Sequence, residues 1–599
     1  PIVLGGLKKL EYRGYDSAGI AVLQNGKIEI RRDAGKIDHL ETLITQEPLE
    51  GNLGIGHTRW ATHGAPNMQN AHPHISSNGE IVIVHNGIVE NYLSLREELS
   101  AEGAVFRSET DTETIVLLIE RYYAVTQDLL RAVQETLKRI KGAHGIVVMS
   151  SREPDKLVAA RLGNAGGIAI GRGNGEMFIA SDLPAIVEHT HDITFLDSEQ
   201  IAVVQKDGLT LQTLAGTPIE PVWNHIPWDP VSAEKGRYRH FMQKEIHEQV
   251  RSLSDTMVGR IDFDDYRIML PDLHLTADEA QHIRKIFITA CGTAYHAGLV
   301  GKILIEQIAH IPVEVMVASE FRYLDPIIDE GTVVLAISQS GETADTLAAM
   351  EEGRRKGAKL WSIVNAIGSQ AMRGADGSIS MQVGPEIGVA STKAFTAPIL
   401  DLYMLAVYLA DLRGELTDEK RHELVQDLLK VPTLAQKTLA REGEVKKIAA
   451  KYKDMRNILY LGRGINMPIA YEGALKLKEI SYIHAEGYPA GEMKHGPIAL
   501  IDQELPVLVI APKDKWYEKM ISQIEQAKAR GGKVITIATE GDTLIPELAN
   551  EVMWIPETPW LLSPVITSIP LQLFAYHIAT LLGLDVDQPR NLAKSVTVE

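Results

Sequence analysis

Apolar and polar residues alternate with a period of two in several short segments of the first 225 residues, a pattern typical of strands with one buried face. The predicted strands are Gly19–Leu23, Gly54–Thr58, Ile81–His85, Gly145–Ser150, Gly167–Arg172 and Met177–Ser181. Helical periodicity predicts helices at Ile2–Leu10, Tyr92–Ala101, Asp111–Tyr123 and Asp128–Ile140. Strands with helices packed on them indicate an α+β domain built of layers.

From about residue 280 the pattern changes to strands that alternate with helices, and it does so twice. The first strands are Lys285–Ala290, Val313–Ala318, Thr332–Ser338 and Leu360–Asn365. The second strands are Asn457–Gly462, Leu505–Ala511, Lys533–Thr539 and Glu551–Ile555. The helices between them are Tyr295–Ala309, Ala344–Lys356, Pro468–His484 and Lys515–Ala529. We therefore predict a duplicated α/β domain with parallel sheets, in which ligands bind at the carboxyl ends of the strands.

These patterns divide the chain of 599 residues into five segments. The region Pro218–Lys235 is rich in proline and tryptophan, which is typical of a linker, and a helical region follows at His240–Met257. The predicted boundaries are residues 1–225 for the α+β domain, 226–279 for the linker and helix, 280–420 and 448–588 for the α/β domains, and 589–599 for a tail.

The longest uncharged run, Thr558–Leu584, has the length of a membrane-spanning helix but not the composition. It contains three prolines, a glutamine and a histidine, whereas a spanning helix needs about 20 predominantly apolar residues. We predict a loop followed by a buried helix, Pro570–Leu582, and no membrane association.

Net charge and cysteine content narrow the function classes further. With 60 basic and 79 acidic residues the formal charge is −19, which argues against nucleic acid as a partner. The single cysteine, Cys291, excludes an intrachain disulfide framework and a cysteine-rich metal site. We expect a cytoplasmic protein that uses neither metal nor redox cofactor.

Polar residues in the first domain have the chemistry needed to bind an amino acid and its amide. Arg59 can bind a carboxylate with two hydrogen bonds, and Asp111 can pair with an ammonium. Thr62 and His63 can supply further hydrogen bonds. The amide of Asn86 and the backbone N–H of Gly87 can stabilise an oxyanion. Taken singly, such residues are more often found in ordinary turns and loops.

Together these residues resemble the class II glutamine amidotransferase family. The resemblance rests on residues 10–19 (LEYRGYDSAG), 57–64 (HTRWATHG), 71–74 (AHPH) and 85–87 (HNG). It implies the Ntn-hydrolase fold, glutamine bound by Arg59 and Asp111, an oxyanion hole at Asn86 and Gly87, and an ammonia passage gated by Trp60. The family's nucleophile is an N-terminal cysteine, which position 1 does not hold; we expect it about a dozen residues before Pro1.

Hydroxyl-rich loops follow strands of the first α/β domain. They are residues 291–293 (CGT), 338–343 (SQSGET) and 389–393 (VASTK). Hydroxyls, a glycine and the N–H groups of a helix start form an anion site, although a lone loop of this kind is more often only a helix cap. The three loops resemble the sugar isomerase (SIS) phosphosugar-binding domain. The resemblance implies that Thr293, Ser338, Gln339, Ser340 and Thr343 bind a phosphate, and that backbone groups at Val389 and Ser391 bind sugar hydroxyls.

The second repeat lacks the serine-rich loop but carries titratable residues. Glu472, Lys476 and Glu479 share one helical face, which is more often a solvated ion-pair stripe. Resemblance to the second SIS domain of amidotransferases favours catalysis instead. It implies that Glu479 moves a proton between C1 and C2, that Lys476 steers a hydroxyl proton, and that His495 opens the sugar ring.

The tail and the order of domains complete the prediction. The resemblance places the tail over the sugar site, with Ala593 against the sugar and Lys594 forming an imine with the open ketose. It implies conversion of fructose 6-phosphate and glutamine to glucosamine 6-phosphate and glutamate in a homodimer. The alternatives are a sugar-phosphate isomerase or an ammonia-dependent enzyme if the cysteine is absent, a phosphoribosyl amidotransferase, and a non-catalytic phosphosugar sensor.

Overall fold

A computed structural model of the protein describes residues 1–60, 64–226 and 235–597. These residues form two compact units. The first comprises residues 1–226, 342–347 and 593–597, and the second comprises residues 235–341 and 348–592.

The first unit contains a seven-stranded antiparallel sheet, a three-stranded sheet and a four-stranded sheet. Its strands are β1 Ser17–Gln24, β2 Lys27–Ala34, β3 Gly54–Arg59, β4 His74–Ile75, β5 Ile81–Gly87, β6 His144–Ser150, β7 Lys156–Leu162, β8 Ala169–Arg172, β9 Met177–Ala180, β10 Asp192–Phe195, β11 Gln200–Gln205, β12 Gly208–Thr213, β13 Pro218–Ile219 and β14 Asn224–His225. Its helices are α1 Ile2–Leu10, α2 Ile37–Gln46, α3 Tyr92–Ala101, α4 Thr112–Thr126 and α5 Leu129–Leu137.

The layers of the first unit follow from the faces of its large sheet, whose order is β13-β12-β11-β7-β6-β5-β4. One face packs on α4 and α5, burying Ile83, Ile115 and Val148. On the other face, residues such as Val82 and Met149 pack with Ile55 of the small sheet β2-β1-β3. This confirms the predicted α+β layers.

The second unit contains two five-stranded parallel sheets and a short ribbon. Its strands are β15 Ile261–Asp262, β16 Arg267–Ile268, β17 Lys285–Ala290, β18 Val313–Val317, β19 Thr332–Ser338, β20 Lys359–Val364, β21 Gly377–Ser380, β22 Asn457–Gly462, β23 His484–Pro489, β24 Pro506–Ala511, β25 Lys533–Thr539 and β26 Glu551–Ile555. The remaining helices are α6 Phe241–Met257, α7 Ala277–His282, α8 Gly292–Ile308, α9 Ala318–Phe321, α10 Ala344–Arg355, α11 Gln370–Arg373, α12 Lys393–Leu412, α13 Asp418–Leu439, α14 Glu442–Tyr452, α15 Met467–Ser481, α16 Tyr517–Ala529, α17 Ile545–Leu548 and α18 Ser563–Leu581.

The two parallel sheets have the same topology, which confirms the duplicated α/β domain. Their orders are β18-β17-β19-β20-β21 and β23-β22-β24-β25-β26. In each sheet the second strand in chain order forms one edge beside the first strand, and the third strand pairs with the opposite side of the first strand. Central strands such as β19 are buried along their whole length, as expected for parallel strands covered on both faces.

Three predicted elements differ from the structure. The helix predicted at Pro468–His484 ends at Ser481, because Tyr482 turns left-handed with φ of +62° and His484 begins β23. The helix predicted from Pro570 begins seven residues earlier, at Ser563; nearly all of α18 is buried, and this packing outweighs the cost of the internal proline. The predicted linker Pro218–Lys235 contains β13 and β14, and residues 227–234 lie outside the described residues.

Two helices, α12 and α18, are long and apolar enough to cross a membrane by length and composition alone. Within the structure, 83% and 89% of their apolar windows are buried, as in the core helix of a soluble protein. For these two helices of the described residues, length and composition alone are therefore weak evidence of a membrane span.

Candidate active sites in the two units

One cavity in the first unit brings predicted glutamine-binding residues together. Its volume is about 1210 Å³. Its lining includes Arg59, Trp60, Asn86, Gly87 and Asp111. Thr62 and His63, which were predicted to lie here too, are outside the described residues. The cavity thus gathers residues that are up to 52 positions apart in the sequence.

Arg59 and Asp111 supply opposite charges to the cavity. Arg59 is the last residue of β3, and its Nη2 donates to the carbonyl of Gly64 across 3.2 Å. Burial lowers the pKa of its guanidinium, and Asp111 and Asp16 oppose that shift. Asp111 precedes α4, and its Oδ2 accepts from the N–H of Val89 across 2.7 Å. A guanidinium and a carboxylate on one wall can bind the two charged groups of an amino acid.

Asn86 and Gly87 are the last two residues of β5 rather than a turn after it. The Nδ2 of Asn86 donates to the hydroxyl of Thr597 across 3.1 Å. Gly87 has φ of +144°, and a Cβ added there would lie 2.1 Å from the carbonyl oxygen of Ala143. Only glycine fits this position, so the backbone at the predicted oxyanion hole is rigidly defined.

A chain of buried histidines borders the same cavity. His72 Nε2 lies 3.1 Å and His85 Nδ1 2.8 Å from the hydroxyl of Thr112, and His85 Nε2 lies 3.1 Å from His144 Nδ1. Burial lowers the pKa of His85 and of His144 to about 3, so both are neutral near pH 7. No group of three or more potential metal ligands occurs among the described residues, so these histidines act as hydrogen-bonding residues there.

In the second unit, candidate residues lie where the strand order of the first parallel sheet reverses. Thr293 follows β17, and Ser338 ends β19, the neighbouring strand. Open α/β sheets bind ligands at this switch point, beyond the carboxyl ends of the strands. Cys291 occupies the N-cap position of α8.

Hydrogen bonds to and from backbone groups hold the loop after β19 in place. Ser338 is buried, and its Oγ accepts from the N–H of Gly341 across 3.0 Å. The carbonyl of Gln339 accepts from Asn365 and Ala366 across 3.2 and 3.1 Å. Gly341 has φ of +62°, and an added Cβ would lie 2.1 Å from Ser369 Oγ. The loop therefore has a defined shape before any ligand binds, and α10 begins at Ala344, directly after Thr343.

The loop that contains Val389 and Ser391 is fixed by a buried carboxylate. Glu386 accepts from the backbone N–H groups of Thr392 and Ala394 across 2.8 and 3.0 Å. The N–H of Val389 donates to the carbonyl of Asp587 across 3.0 Å. Because the N–H of Val389 already has this partner, the backbone group that could bind a sugar hydroxyl is its carbonyl.

The stripe on α15 is buried and is not a solvated ion-pair face. Glu472 and Lys476 are each 1% exposed. Lys476 Nζ lies 3.3 Å from Glu472 Oε1 and 2.7 Å from Glu479 Oε2, and it donates to Thr293 Oγ1 across 3.0 Å. Burial opposes the charged form, but Glu472 and Glu479 together raise the pKa of Lys476 above its usual value. A permanent ammonium therefore joins two carboxylates at the switch point.

Sequence reasoning missed one residue of this cluster. His296 Nδ1 lies 2.7 Å from Glu472 Oε2, and Glu472 Oε1 accepts from Thr293 Oγ1 across 3.1 Å. His296 follows Thr293 by three positions on α8, so both side chains face α15. That spacing after a hydroxyl loop is the signal that was available in the sequence.

Aromatic side chains pack at the switch point of the second α/β domain. The indole of Trp516 packs directly on Gly464, where an added Cβ would lie 2.4 Å from the ring. Lys515 Nζ lies 3.8 Å from the centre of the Trp560 ring, which packs edge-on against Trp516. An indole thus lies against the loop that follows β22.

The structure does not place three predicted residues with this cluster. His495 is exposed, in a short 3₁₀ helix, Ala490–His495. Ala593 and Lys594 pack with the first unit, where the N–H of Lys594 donates to the carbonyl of Tyr12 across 3.3 Å.

Comparisons with known proteins match both halves of the chain. A family model described as glutamine amidotransferase domain matches residues 36–215, and one described as SIS domain matches residues 281–408 and 451–582. Glutamine--fructose-6-phosphate aminotransferase [isomerizing] from Caldanaerobacter subterraneus is 48% identical, and the protein of that name from Aquifex aeolicus is 50% identical. Each alignment covers 100% of this chain and 98% of the relative.

A solved structure is similar to the second half of the chain. It is the C-terminal domain of glucosamine-fructose-6-phosphate aminotransferase from Francisella tularensis, 38% identical, with a TM-score of 0.57. It covers 59% of this chain and 100% of its own length.

The fold and the two sites define a glutamine amidotransferase domain followed by two SIS domains. This architecture, and about 50% identity over the full chain, confirm both family resemblances. The chain belongs to the family of glutamine--fructose-6-phosphate aminotransferases [isomerizing].

Proposed function

We propose that this chain converts fructose 6-phosphate and glutamine to glucosamine 6-phosphate and glutamate. The observation that carries the proposal is the ion pair between buried Lys476 and partly buried Glu479, beside Thr293 at the switch point. A carboxylate and an ammonium 2.7 Å apart can move protons between neighbouring carbon and oxygen atoms of a sugar. Identity over the whole chain, residues 36–215 included, does not favour the alternative of an isomerase without amination.

In the amidotransferase domain, glutamine is held by its two charged groups. Arg59 binds the carboxylate and Asp111 binds the ammonium, with Thr62 and His63 adding hydrogen bonds. Asn86 Nδ2 and the N–H of Gly87 stabilise the oxyanion that forms when the side-chain amide is attacked. Hydrolysis consumes one water and releases glutamate and ammonia, which passes Trp60.

In the SIS domains, the phosphate of the ketose is bound by Thr293, Ser338, Gln339, Ser340 and Thr343. The sugar hydroxyls are bound by backbone groups of Val389, Ser391 and Ala593. A preformed loop at a helix start suits this role because it supplies N–H groups and hydroxyls without reordering.

The proposed chemistry then proceeds on the open sugar. His495 opens the ring, and Lys594 forms an imine at C2 that ammonia displaces, so that one water is released overall. Glu479 removes a proton from C1 and returns it to C2. Lys476 directs the proton of the C1 hydroxyl, which is taken up by the nitrogen at C2. The C1 aldehyde of glucosamine 6-phosphate results.

The exposure of His495 supports one further part of the proposal. We place the enzyme in the cytoplasm as a homodimer, in which His495 acts in the site of the partner subunit. Neither a nucleic acid nor a membrane takes part in the reaction.

Product assays with two nitrogen sources test the proposed function. Wild-type protein should form glucosamine 6-phosphate from fructose 6-phosphate with glutamine and with ammonium chloride. Glu479→Gln should lose product formation with both sources and still release glutamate from glutamine. Absence of glucosamine 6-phosphate from wild-type protein with either source would contradict the proposal.

A further inference from the structure

We propose that His296 is a positioning residue that sets how the Lys476 ammonium is shared between Glu472 and Glu479. This inference rests on the proposed function, because Glu479 is there the base that moves the sugar proton. Among the described contacts, His296 is linked to Lys476 and Glu479 through Glu472, which accepts a hydrogen bond from its Nδ1.

The geometry forms a continuous chain across the two SIS domains. His296 Nδ1 lies 2.7 Å from Glu472 Oε2, Glu472 Oε1 lies 3.3 Å from Lys476 Nζ, and Lys476 Nζ lies 2.7 Å from Glu479 Oε2. The side chain of His296 is 14% exposed and that of Glu472 is 2% exposed. Each oxygen of Glu472 thus has its own partner, and the carboxylate cannot turn without breaking a hydrogen bond in a buried site.

The charges around the imidazole determine where the Lys476 ammonium is held. On α15 the imidazole faces Glu472 and Tyr471, and its own helix α8 contributes Tyr295. Lys476 and Glu479 lie farther along the chain of contacts, and Glu386 acts on Lys476 electrostatically. Glu472, Lys476 and Glu479 together carry a net charge of −1, so two carboxylates compete for one ammonium.

A hydrogen bond to Glu472 affects where this ammonium lies. Lys476 Nζ is 3.3 Å from Glu472 Oε1 and 2.7 Å from Glu479 Oε2. His296 donates to Glu472 Oε2, so that Glu472 attracts Lys476 less strongly and the ammonium stays beside Glu479. Without that donor, Lys476 shifts toward Glu472 and away from the C1 hydroxyl whose proton it directs.

Two substitutions separate this role from simple packing. Asparagine can place an amide N–H near the position of Nδ1 but does not titrate, whereas leucine fills the space without a donor. The matched control is His282→Asn, at an exposed histidine on α7 whose Nδ1 lies 2.7 Å from the backbone carbonyl of Asp278. The measurement is the pH profile of kcat and KM for conversion of fructose 6-phosphate to glucosamine 6-phosphate with ammonium chloride, together with thermal unfolding.

We expect His296→Leu to lower kcat at least tenfold at pH 8 with less than a twofold change in KM. His296→Asn should stay within threefold of wild type at pH 8, because its amide N–H can still donate to Glu472. His282→Asn should match wild type. If wild type forms product but His296→Leu keeps its kcat, or His296→Asn loses as much activity as His296→Leu, the positioning role is wrong. If wild type forms no product, it is the proposed function that fails.

Discussion

The side-chain amide of Asn86 and the hydroxyl of Thr597 are hydrogen-bonded within the first unit. Thr597 Oγ1 lies 3.1 Å from Nδ2 and 3.3 Å from Oδ1 of Asn86, and the threonine is buried. A residue close to the C-terminus therefore orients an amide at the end of β5. If Asn86 is an oxyanion donor, the tail controls which end of that amide faces the substrate.

Thr597→Val should therefore slow glutamine hydrolysis. Loss of one neutral hydrogen bond costs about 1 kcal/mol, which corresponds to a roughly fivefold fall in kcat. Thr597→Ser keeps the hydroxyl and should retain the wild-type rate. The measurement is glutamate release from glutamine, and equal rates for the valine and serine variants would contradict the prediction.

Stability of the first unit should fall in mild acid because several of its histidines are buried in neutral form. Burial lowers the pKa of His57 to about 4 and those of His74, His85 and His144 to about 3. The unfolded chain takes up protons below about pH 6.5, whereas the folded state does not. Their contribution is complete above that pH and is lost as pH falls toward 4 for His57 and toward 3 for the other three, at about 1.4 kcal/mol per pH unit for each histidine.

Thermal unfolding followed between pH 7.5 and pH 5 checks this pH dependence. His144→Gln should remove one titrating group and flatten the decline in stability with falling pH. His39→Gln, at an exposed position of the same unit, should leave the slope unchanged. A slope that His144→Gln does not alter would show that protonation of this histidine chain is not its cause.

Much of the fold could be predicted because its central strands are continuous apolar runs. The buried strand β19 is one example, and the repeated alternation of strands and helices revealed the duplication. The strand β23, with the sequence HAEGYP, has no such run; its first residue, His484, was assigned to the preceding helix and the rest of the strand was not predicted. The charged strand β2, which pairs with β1 and is partly exposed along its length, was missed for the same reason.

Only those features of the candidate site that depend on spacing within one helix could be predicted. Periodicity put Glu472, Lys476 and Glu479 on one face of α15. Their burial and the contacts of Glu472 with Thr293 and His296 depend on the packing of α8 against α15, helices from different domains. Sequence spacing contains no information on that packing.

The ion pair between Arg260 and Asp401 should be essential for the stability of the second unit. Arg260 Nη1 lies 2.6 Å from Asp401 Oδ1, and both side chains are buried between α6 and α12. Arg260→Met would leave a buried carboxylate without its partner, at a cost of about 3–5 kcal/mol. Replacing both residues, in Arg260→Met with Asp401→Leu, should recover most of that loss. The exposed pair of Arg354 with Asp376 is the control.

Denaturant unfolding at pH 6 and pH 8 measures these effects. Burial raises the pKa of Asp401 to about 7 against the attraction of Arg260, so this carboxyl group binds a proton more readily in the folded state. The free-energy penalty of burying the ionised Asp401 therefore grows as pH rises from about 4 to the folded pKa. Because Arg260→Met removes the partner of this charge, the variant should be more destabilised at pH 8 than at pH 6. Arg354→Met should cost less than about 1 kcal/mol. Equal losses for the two arginine variants would contradict the prediction.

Asp111→Asn should weaken glutamine binding without unfolding the domain. The amide oxygen of asparagine can still accept from the N–H of Val89, so the local backbone keeps its hydrogen bond. What disappears is the negative charge proposed to pair with the ammonium of glutamine. A hydrogen bond to a charged group contributes about 1.5–3 kcal/mol, so the Kd should rise roughly 10- to 150-fold.

Calorimetric titration with glutamine gives the Kd, and Asp207→Asn, at an exposed turn, should leave it unchanged. Asp111→Asn should also keep the wild-type rate with ammonium chloride, because ammonia bypasses the glutamine site; a matching loss there would mean that Asp111 supports the fold rather than the substrate.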